Sequence, residues 1–100
     1  MLYRTLAGER VSQLGFGAMR LPTISGKIDV VQTTKMMHSA IEQGLNYIDT
    51  AWVYHNGESE EAVGQVLRGG WRNKVFIATK SPVWLVEKAE DFPRFLDLQF

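Results

Sequence analysis

The chain has 100 residues, 45% of them hydrophobic, which is enough to bury one small core and fills no more than one domain. Its 11 basic and 11 acidic residues cancel, so there is no field to attract nucleic acid or an acidic membrane surface. With no cysteine, a disulfide framework, a thiolate nucleophile and sulfur-ligated metal are excluded within these residues. Met1–Thr5 lack the charged and apolar regions of a signal peptide, and no apolar stretch approaches the roughly 20 residues of a membrane span. A cytoplasmic protein is expected.

In chain order, Leu2–Leu6 and Val11–Leu14 alternate apolar and polar residues around Ala7-Gly8-Glu9-Arg10, which predicts a β-hairpin with a glycine-containing turn. Leu14–Leu21 follows as a predicted strand ended by Pro22, its glycines at 15 and 17 leaving room for another backbone or a ligand to come close. Thr23–Lys27 reads as a loop. Asp29, with Gln32 three residues on, has capping-box spacing, and Thr33, Met36, Met37, Ala40 and Ile41 recur at helical intervals up to about Gln43, where Gly44 provides a stop. His38 is expected on the solvated side of that helix, and Met36 and Met37 in the core.

Asn46–Glu60 is the stretch around which the chemistry is organised. Asn46–Thr50 predicts a second strand. Ser59 is placed as the cap of a second helix, with Glu60 and Glu61 against the positive dipole end, Val63, Val66 and Leu67 as core stripe, and Gly69-Gly70 as stop. Val75–Lys80 is almost continuously apolar, as a strand covered on both faces would be. Ser81-Pro82 turns the chain, Val83–Val86 is a loop or short strand, and Glu90–Phe100 opens another helix with Pro93 in its first turn. Hairpin, β, α, β, α, β and the start of α imply parallel strands joined by right-handed crossovers. Both a doubly wound open sheet and an eight-stranded barrel satisfy that order, and both place ligands just past the C-terminal ends of strands.

Gly15-Phe16-Gly17-Ala18-Met19-Arg20 begins like a dinucleotide fingerprint, but Arg20 replaces the third glycine and Leu21-Pro22 follows instead of a helix start, so a Rossmann reading fails. On these residues alone the glycines fit tight strand packing as well as ligand approach. Asp49, Tyr54 and Lys80 are the second candidate set. Alternation puts Tyr47 and Asp49 on one strand face and Ile48 on the other, with Lys80 at the corresponding end of the next strand. A carboxylate closing a buried apolar run must be paired or used. An unperturbed tyrosine titrates near pKa ~10. A neighbouring lysine charge favours its phenolate and suits it to proton donation, with Asp49 holding the lysine in place. An Asp49–Lys80 ion pair with Tyr54 merely packing accounts for the same spacing. His55 and Glu58 are three apart, but no second histidine or carboxylate completes a metal site. Trp52 and Trp84 each follow a strand and read as pocket walls or as core covers. Glu58, Glu60 and Glu61 read as helix-start electrostatics.

Taken together, Gly15–Pro22, Tyr47–Ala51, Tyr54–Glu60 with Val63-Gly64, and Val75–Lys80 resemble the amino-terminal part of an aldo-keto reductase, four motifs in order over essentially the whole chain. The resemblance implies an α/β fold, the N-terminal part of a (β/α)8 TIM barrel. Residues 1–100 then form an incomplete barrel domain, with a hairpin over 2–14 that plugs the bottom and about three βα units over 15–100. A complete barrel takes about 250 residues, so an N-terminal fragment of an enzyme, inactive alone, is expected. Of the family's catalytic aspartate, tyrosine, lysine and histidine, the first three fall on Asp49, Tyr54 and Lys80; the histidine and the main phosphate-binding loops lie past Phe100. The implied reaction is NADP-dependent: hydride passes from NADPH to a small-molecule aldehyde or ketone while Tyr54 protonates the oxygen. Gly17, Ala18, Met19 and Asp49 are the implied cofactor contacts. His55–Glu60 with Ser81–Trp84 resembles a microbial branch whose members often carry a cysteine-rich 4Fe–4S tail, absent from these residues. A non-catalytic, cofactor-holding regulatory subunit of the same fold is the alternative. Self-association through the unpaired strand edge of such a piece is also expected.

Overall fold

The computed structural model describes residues 1–99. Tyr3–Leu6 (β1) and Glu9–Ser12 (β2) pair antiparallel, Tyr3 opposite Ser12 through Leu6 opposite Glu9. The turn is tighter than expected. Ala7 (φ 49°) and Gly8 (φ 82°) close it alone, because two left-handed residues match the twist of the flanking strands.

Phe16–Gly17 (β3) is much shorter than the expected Leu14–Leu21 strand. Past Ala18 the chain leaves the sheet, and the Leu21 N–H is taken by the His55 ring at 2.8 Å instead of by a strand carbonyl. Thr23–Ile24 (β4) and Lys27–Ile28 (β5) form a second miniature hairpin where a loop was expected. Ser25 (φ 52°) and Gly26 (φ 81°) repeat the left-handed turn of the first.

Helix α1 spans Val30–Glu42, and its Asp29 cap accepts from the Gln32 N–H at 3.1 Å. The capping box is half formed, since the Asp29 N–H goes to the Pro22 carbonyl at 2.8 Å. Tyr47–Asp49 (β6), Ser59–Val66 (α2), Phe76–Ala78 (β7) and Asp91–Gln99 (α3) follow, with single 3-10 turns at Tyr54–Gly57, Trp71–Lys74 and Val83–Leu85. The last residue of the expected C-terminal helix, Phe100, lies outside the described residues.

The main sheet is parallel in the order β3, β6, β7. Gly17 stands opposite Asp49, and Asp49 opposite Ala78. Alternation along β6 sends Ile48 into the core, where it meets Ala18, Met37, Val63, Val66 and Val75. Burying side chains of this size contributes about 1.5–3 kcal/mol each, so the sheet is held chiefly by the face that α1 and α2 cover. Strand β7 is less covered than a strand buried on both faces would be: Phe76 stays 38% exposed and Ile77 and Ala78 are half-buried, while its far edge is unpaired among the described residues.

His38 also departs from its expected solvated position. Its Nε2 lies 2.7 Å from the Val66 carbonyl, one of the last free carbonyls of α2, and its ring stacks on Trp71 at 3.8 Å. The first hairpin docks at the N-terminal end of β6. The Ser12 N–H donates to Asn46 Oδ1 at 2.8 Å, the Asn46 N–H to Ser12 Oγ at 3.1 Å, and the Tyr3 hydroxyl to the Gly44 carbonyl at 2.8 Å. No helix among the described residues is long and apolar enough to cross a membrane.

Gly44 (φ 104°) is the tightest point of this docking, because a Cβ there would stand 2.5 Å from the Tyr3 hydroxyl. Gly44→Ala is therefore expected to cost about 2 kcal/mol or more in urea unfolding. Adding Tyr3→Phe relieves the contact but not the left-handed backbone, so part of the loss persists in the double variant.

Candidate active site

The parallel ladder continues past the strand ends. The Thr50 N–H donates to the Ala78 carbonyl at 2.8 Å and the Trp52 N–H to the Lys80 carbonyl at 3.0 Å. Lys80 thus lies beside residues 50–52, two residues beyond β7, and its side chain returns over them. Its ammonium donates to Asp49 Oδ1 at 2.5 Å, to the Thr50 carbonyl at 2.9 Å and to the Tyr54 hydroxyl oxygen at 3.3 Å. An ammonium carries three donors, and each has an acceptor here. The three residues expected from sequence to form one group do meet.

The Lys80 and Asp49 side chains remain 52% and 43% exposed. An ion pair open to water to that extent contributes only about 0–1 kcal/mol to stability. The arrangement therefore matters for where it holds charge. Withdrawal from water is the largest single influence on Lys80 and pushes its pKa down, but hydrogen bonds to Asp49 and Tyr54 and attraction to the same two groups together hold it above its ordinary 10.5.

Tyr54 is placed by a constrained loop. His55 (φ 52°) and Asn56 (φ 55°) are both left-handed, a conformation that residues with side chains adopt only when their surroundings impose it. The surroundings are visible: His55 Nε2 accepts the Leu21 N–H at 2.8 Å, pinning the Tyr54 loop to the segment after β3. This is the work of His55. Among the described residues no group of three His, Asp or Glu side chains could hold a metal.

The segment Gly17-Ala18-Met19 ends at the same rim. The Ala18 N–H donates to the Asp49 carbonyl at 2.8 Å, and Met19 is 52% exposed. The two glycines separate here. A Cβ on Gly15 would sit 3.5 Å from the Tyr47 ring, so Gly15 packs, whereas one on Gly17 would meet nothing within 4 Å. Gly17 and Asp49 border a cleft of about 570 Å³ that runs back to Leu6 and Val11 of the hairpin. Open space thus lies over Gly17 beside the Asp49 side chain, with Leu6 and Val11 as its apolar far wall. Trp52 lies edge-to-face on Phe95 at 5.5 Å, while Trp84 is 66% exposed.

Sequence reasoning missed two supports of this rim. Ser59 is the first residue of α2, not its cap, and its fully buried hydroxyl donates to the Ala18 carbonyl at 3.0 Å. A hydroxyl has one hydrogen, so Thr50 Oγ1, 2.8 Å away, donates to Ser59 in turn. Glu60, expected only to complement the helix dipole, accepts from Thr79 Oγ1 at 2.5 Å. The only sequence signal was a small hydroxyl residue and a carboxylate in a first helical turn, which many partners could have satisfied.

The Asp49, Tyr54 and Lys80 side chains meet just past the ends of parallel strands on an α/β sheet, where such folds place ligands. The model of the Aldo/keto reductase family matches residues 13–93, and the chain belongs to that family. It is 36% identical over 87 residues to a probable voltage-gated potassium channel subunit beta of Oryza sativa subsp. japonica, covering 84% of this chain and 26% of that protein. It is 37% identical over 71 residues to an uncharacterized oxidoreductase of Bacillus subtilis (strain 168), covering 71% and 21%. Among solved structures, an aldo-keto reductase from Bacillus halodurans in its holo form superposes with TM-score 0.67 at 37% identity, covering 79% of this chain and 25% of that one. An aldo/keto reductase from Klebsiella pneumoniae in complex with NADP and acetate gives 0.75 at 30%, covering 90% and 30%. The chain spans about a quarter of the length of the curated relatives it matches. The fold is that of the (β/α)8 barrel, of which this chain builds the hairpin and three parallel strands.

Because Asp49 is the first contact that raises Lys80, Asp49→Asn should bring the Lys80 titration down towards its ordinary value, read by NMR on 13C-labelled lysine. A raised folded pKa contributes stability below pH 10.5 that is lost as pH climbs through the folded value, so the two proteins should differ in unfolding at neutral pH and converge on the alkaline side.

Proposed function

We propose that the protein containing this chain is an NAD(P)H-dependent oxidoreductase that reduces aldehydes or ketones to alcohols, with Asp49, Tyr54 and Lys80 as catalytic residues. The supporting observation is the Lys80 ammonium, held by Asp49 at 2.5 Å and directed at the Tyr54 oxygen 3.3 Å away. When bound along Gly17, Ala18, Met19 and Asp49, a nicotinamide dinucleotide supplies the hydride that the carbonyl carbon takes up. Tyr54 gives its proton to the carbonyl oxygen as the carbon is reduced, so carbonyl, hydride and proton balance to an alcohol. Lys80 donates to the phenolic oxygen and stabilises the negative charge left there. Asp49 keeps the ammonium aimed, and the constrained His55–Asn56 backbone keeps the phenol within its reach.

NADP is favoured as the cofactor because neighbouring structures from Klebsiella pneumoniae are complexes with NADP and NADPH. Residues 1–100 include no cysteine to hold the 4Fe–4S cluster of the microbial branch that the motifs resemble. Residues 1–100 form an incomplete barrel domain, hairpin 2–14 followed by βα units, in a cytoplasmic protein whose partner is a small carbonyl compound rather than nucleic acid or membrane. As a separate piece the domain self-associates through its β3 and β7 edges and does not turn over. The similarity to potassium channel beta subunits favours a second reading, a cofactor-holding regulatory subunit with the same trio. Turnover separates the two.

NADPH oxidation with a reactive aldehyde is expected from the full-length protein, with Tyr54→Phe lowering kcat by roughly 10²- to 10⁴-fold, the usual contribution of a positioned proton donor. Absence of turnover alongside calorimetric NADPH binding would favour the regulatory reading. Residues 1–100 alone should show no rate, and a rate that Tyr54→Phe abolishes would refute that.

A further inference from the structure

Thr79 precedes Lys80, and alternation sends its side chain to the opposite face, towards α2. There its hydroxyl donates to Glu60 Oε2 at 2.5 Å, the short range of hydroxyl bonds to an ionised carboxylate. Gln99 Nε2 donates to the same oxygen at 2.9 Å and to the Lys80 carbonyl at 3.1 Å. That carbonyl also accepts the Trp52 N–H at 3.0 Å. The peptide that carries Lys80 is therefore gripped from the sheet, from α3 and, through Thr79, from α2.

We infer that Glu60 is a positioning residue for Lys80, fixing the end of β7 through Thr79 and Gln99 so that the ammonium reaches Asp49 and Tyr54 together. The inference rests on the reductase reading for what Lys80 does, but not for where it is held. Helix-dipole electrostatics alone do not account for Glu60. Glu61, at the same helix start, is exposed and makes no side-chain hydrogen bond among the described residues, whereas Glu60 is half-buried with two donors and no ion-pair partner among them. The restraint falls where it is needed. A long lysine stem multiplies any shift of its backbone, and a displacement of about 1 Å at a reacting group can cost on the order of 10²-fold in rate.

The test uses the full-length protein, with NADPH and a reactive aldehyde for turnover and NMR of 13C-labelled lysine for the Lys80 titration. Glu60→Ala and Thr79→Val should each lower kcat by about ten- to a hundredfold while leaving KM for NADPH within about twofold. Both should move the Lys80 titration downward as its contacts with Asp49 and Tyr54 loosen. Glu60→Gln, whose amide oxygen still accepts from Thr79, should restore most of both effects, and Glu61→Gln should change neither. Thr79→Val is nearly isosteric and carries the test if Glu60→Ala does not fold. Variants that fold by circular dichroism yet keep the parent kcat and the parent Lys80 titration overturn the inference. If the parent shows no turnover but the titration still moves in the variants, the reductase reading fails and the positioning role stands.

Discussion

Gly17, Asp49 and Ala78 stand side by side across three parallel strands, and the rim depends on that register. Parallel strands end on the same side, so whatever follows each of them is delivered to one place: the Ala18 segment, the Asp49-to-Tyr54 loop and Lys80. The register is held by Ile48, which is wholly buried. A slip of one residue along β6 would expose Ile48 and turn Asp49 into the helical layer, at the cost of lost apolar burial and of a carboxylate desolvated without its lysine.

The two ends of the sheet are built differently. At the N-terminal end, the reciprocal Ser12–Asn46 bonds and the Tyr3–Gly44 bond close the structure with a hairpin, and a glycine is demanded because the approach leaves no room for a side chain. At the C-terminal end, the charged groups stay half-exposed and contribute little to stability. What they need is aim, and it is supplied from behind by neutral or singly charged hydrogen bonds: Ser59 to Ala18, Thr50 to Ser59, Thr79 to Glu60 and the Leu21 N–H to the His55 ring. The left-handed backbone at His55 and Asn56 is the local strain accepted to hold Tyr54 near Lys80.

Much of this could be read from residue order. The spacing of Met37 and Ile41, the Asp29 cap and the Gly44 stop are local signals, and α1 starts and ends where they place it. Asp49 and Lys80 were legible as a pair because each ends an apolar run, and alternation along β6 assigned their face. Where the reading failed, the deciding partner was distant in the chain. His38 looks solvated until Trp71 stacks on it; Ser59 looks like a cap until the Ala18 carbonyl takes its hydrogen; Leu14–Leu21 looks like one long strand until His55 claims the Leu21 N–H. The Thr23–Ile28 hairpin was missed because its turn begins with Ser25 in a left-handed conformation that few serines adopt.

The order of apolar periods, helix caps and glycine stops determined by itself the βα alternation, the hairpin, and which ionisable side chains reach the strand ends, since each is set by neighbours within a few residues. Only the tertiary structure decided which side chains hold those groups in place. Thr79 and Glu60, or Ser59 and Ala18, are 19 and 41 residues apart. A hydroxyl or carboxylate has many possible partners, and only the packing of α2 against the sheet selects one.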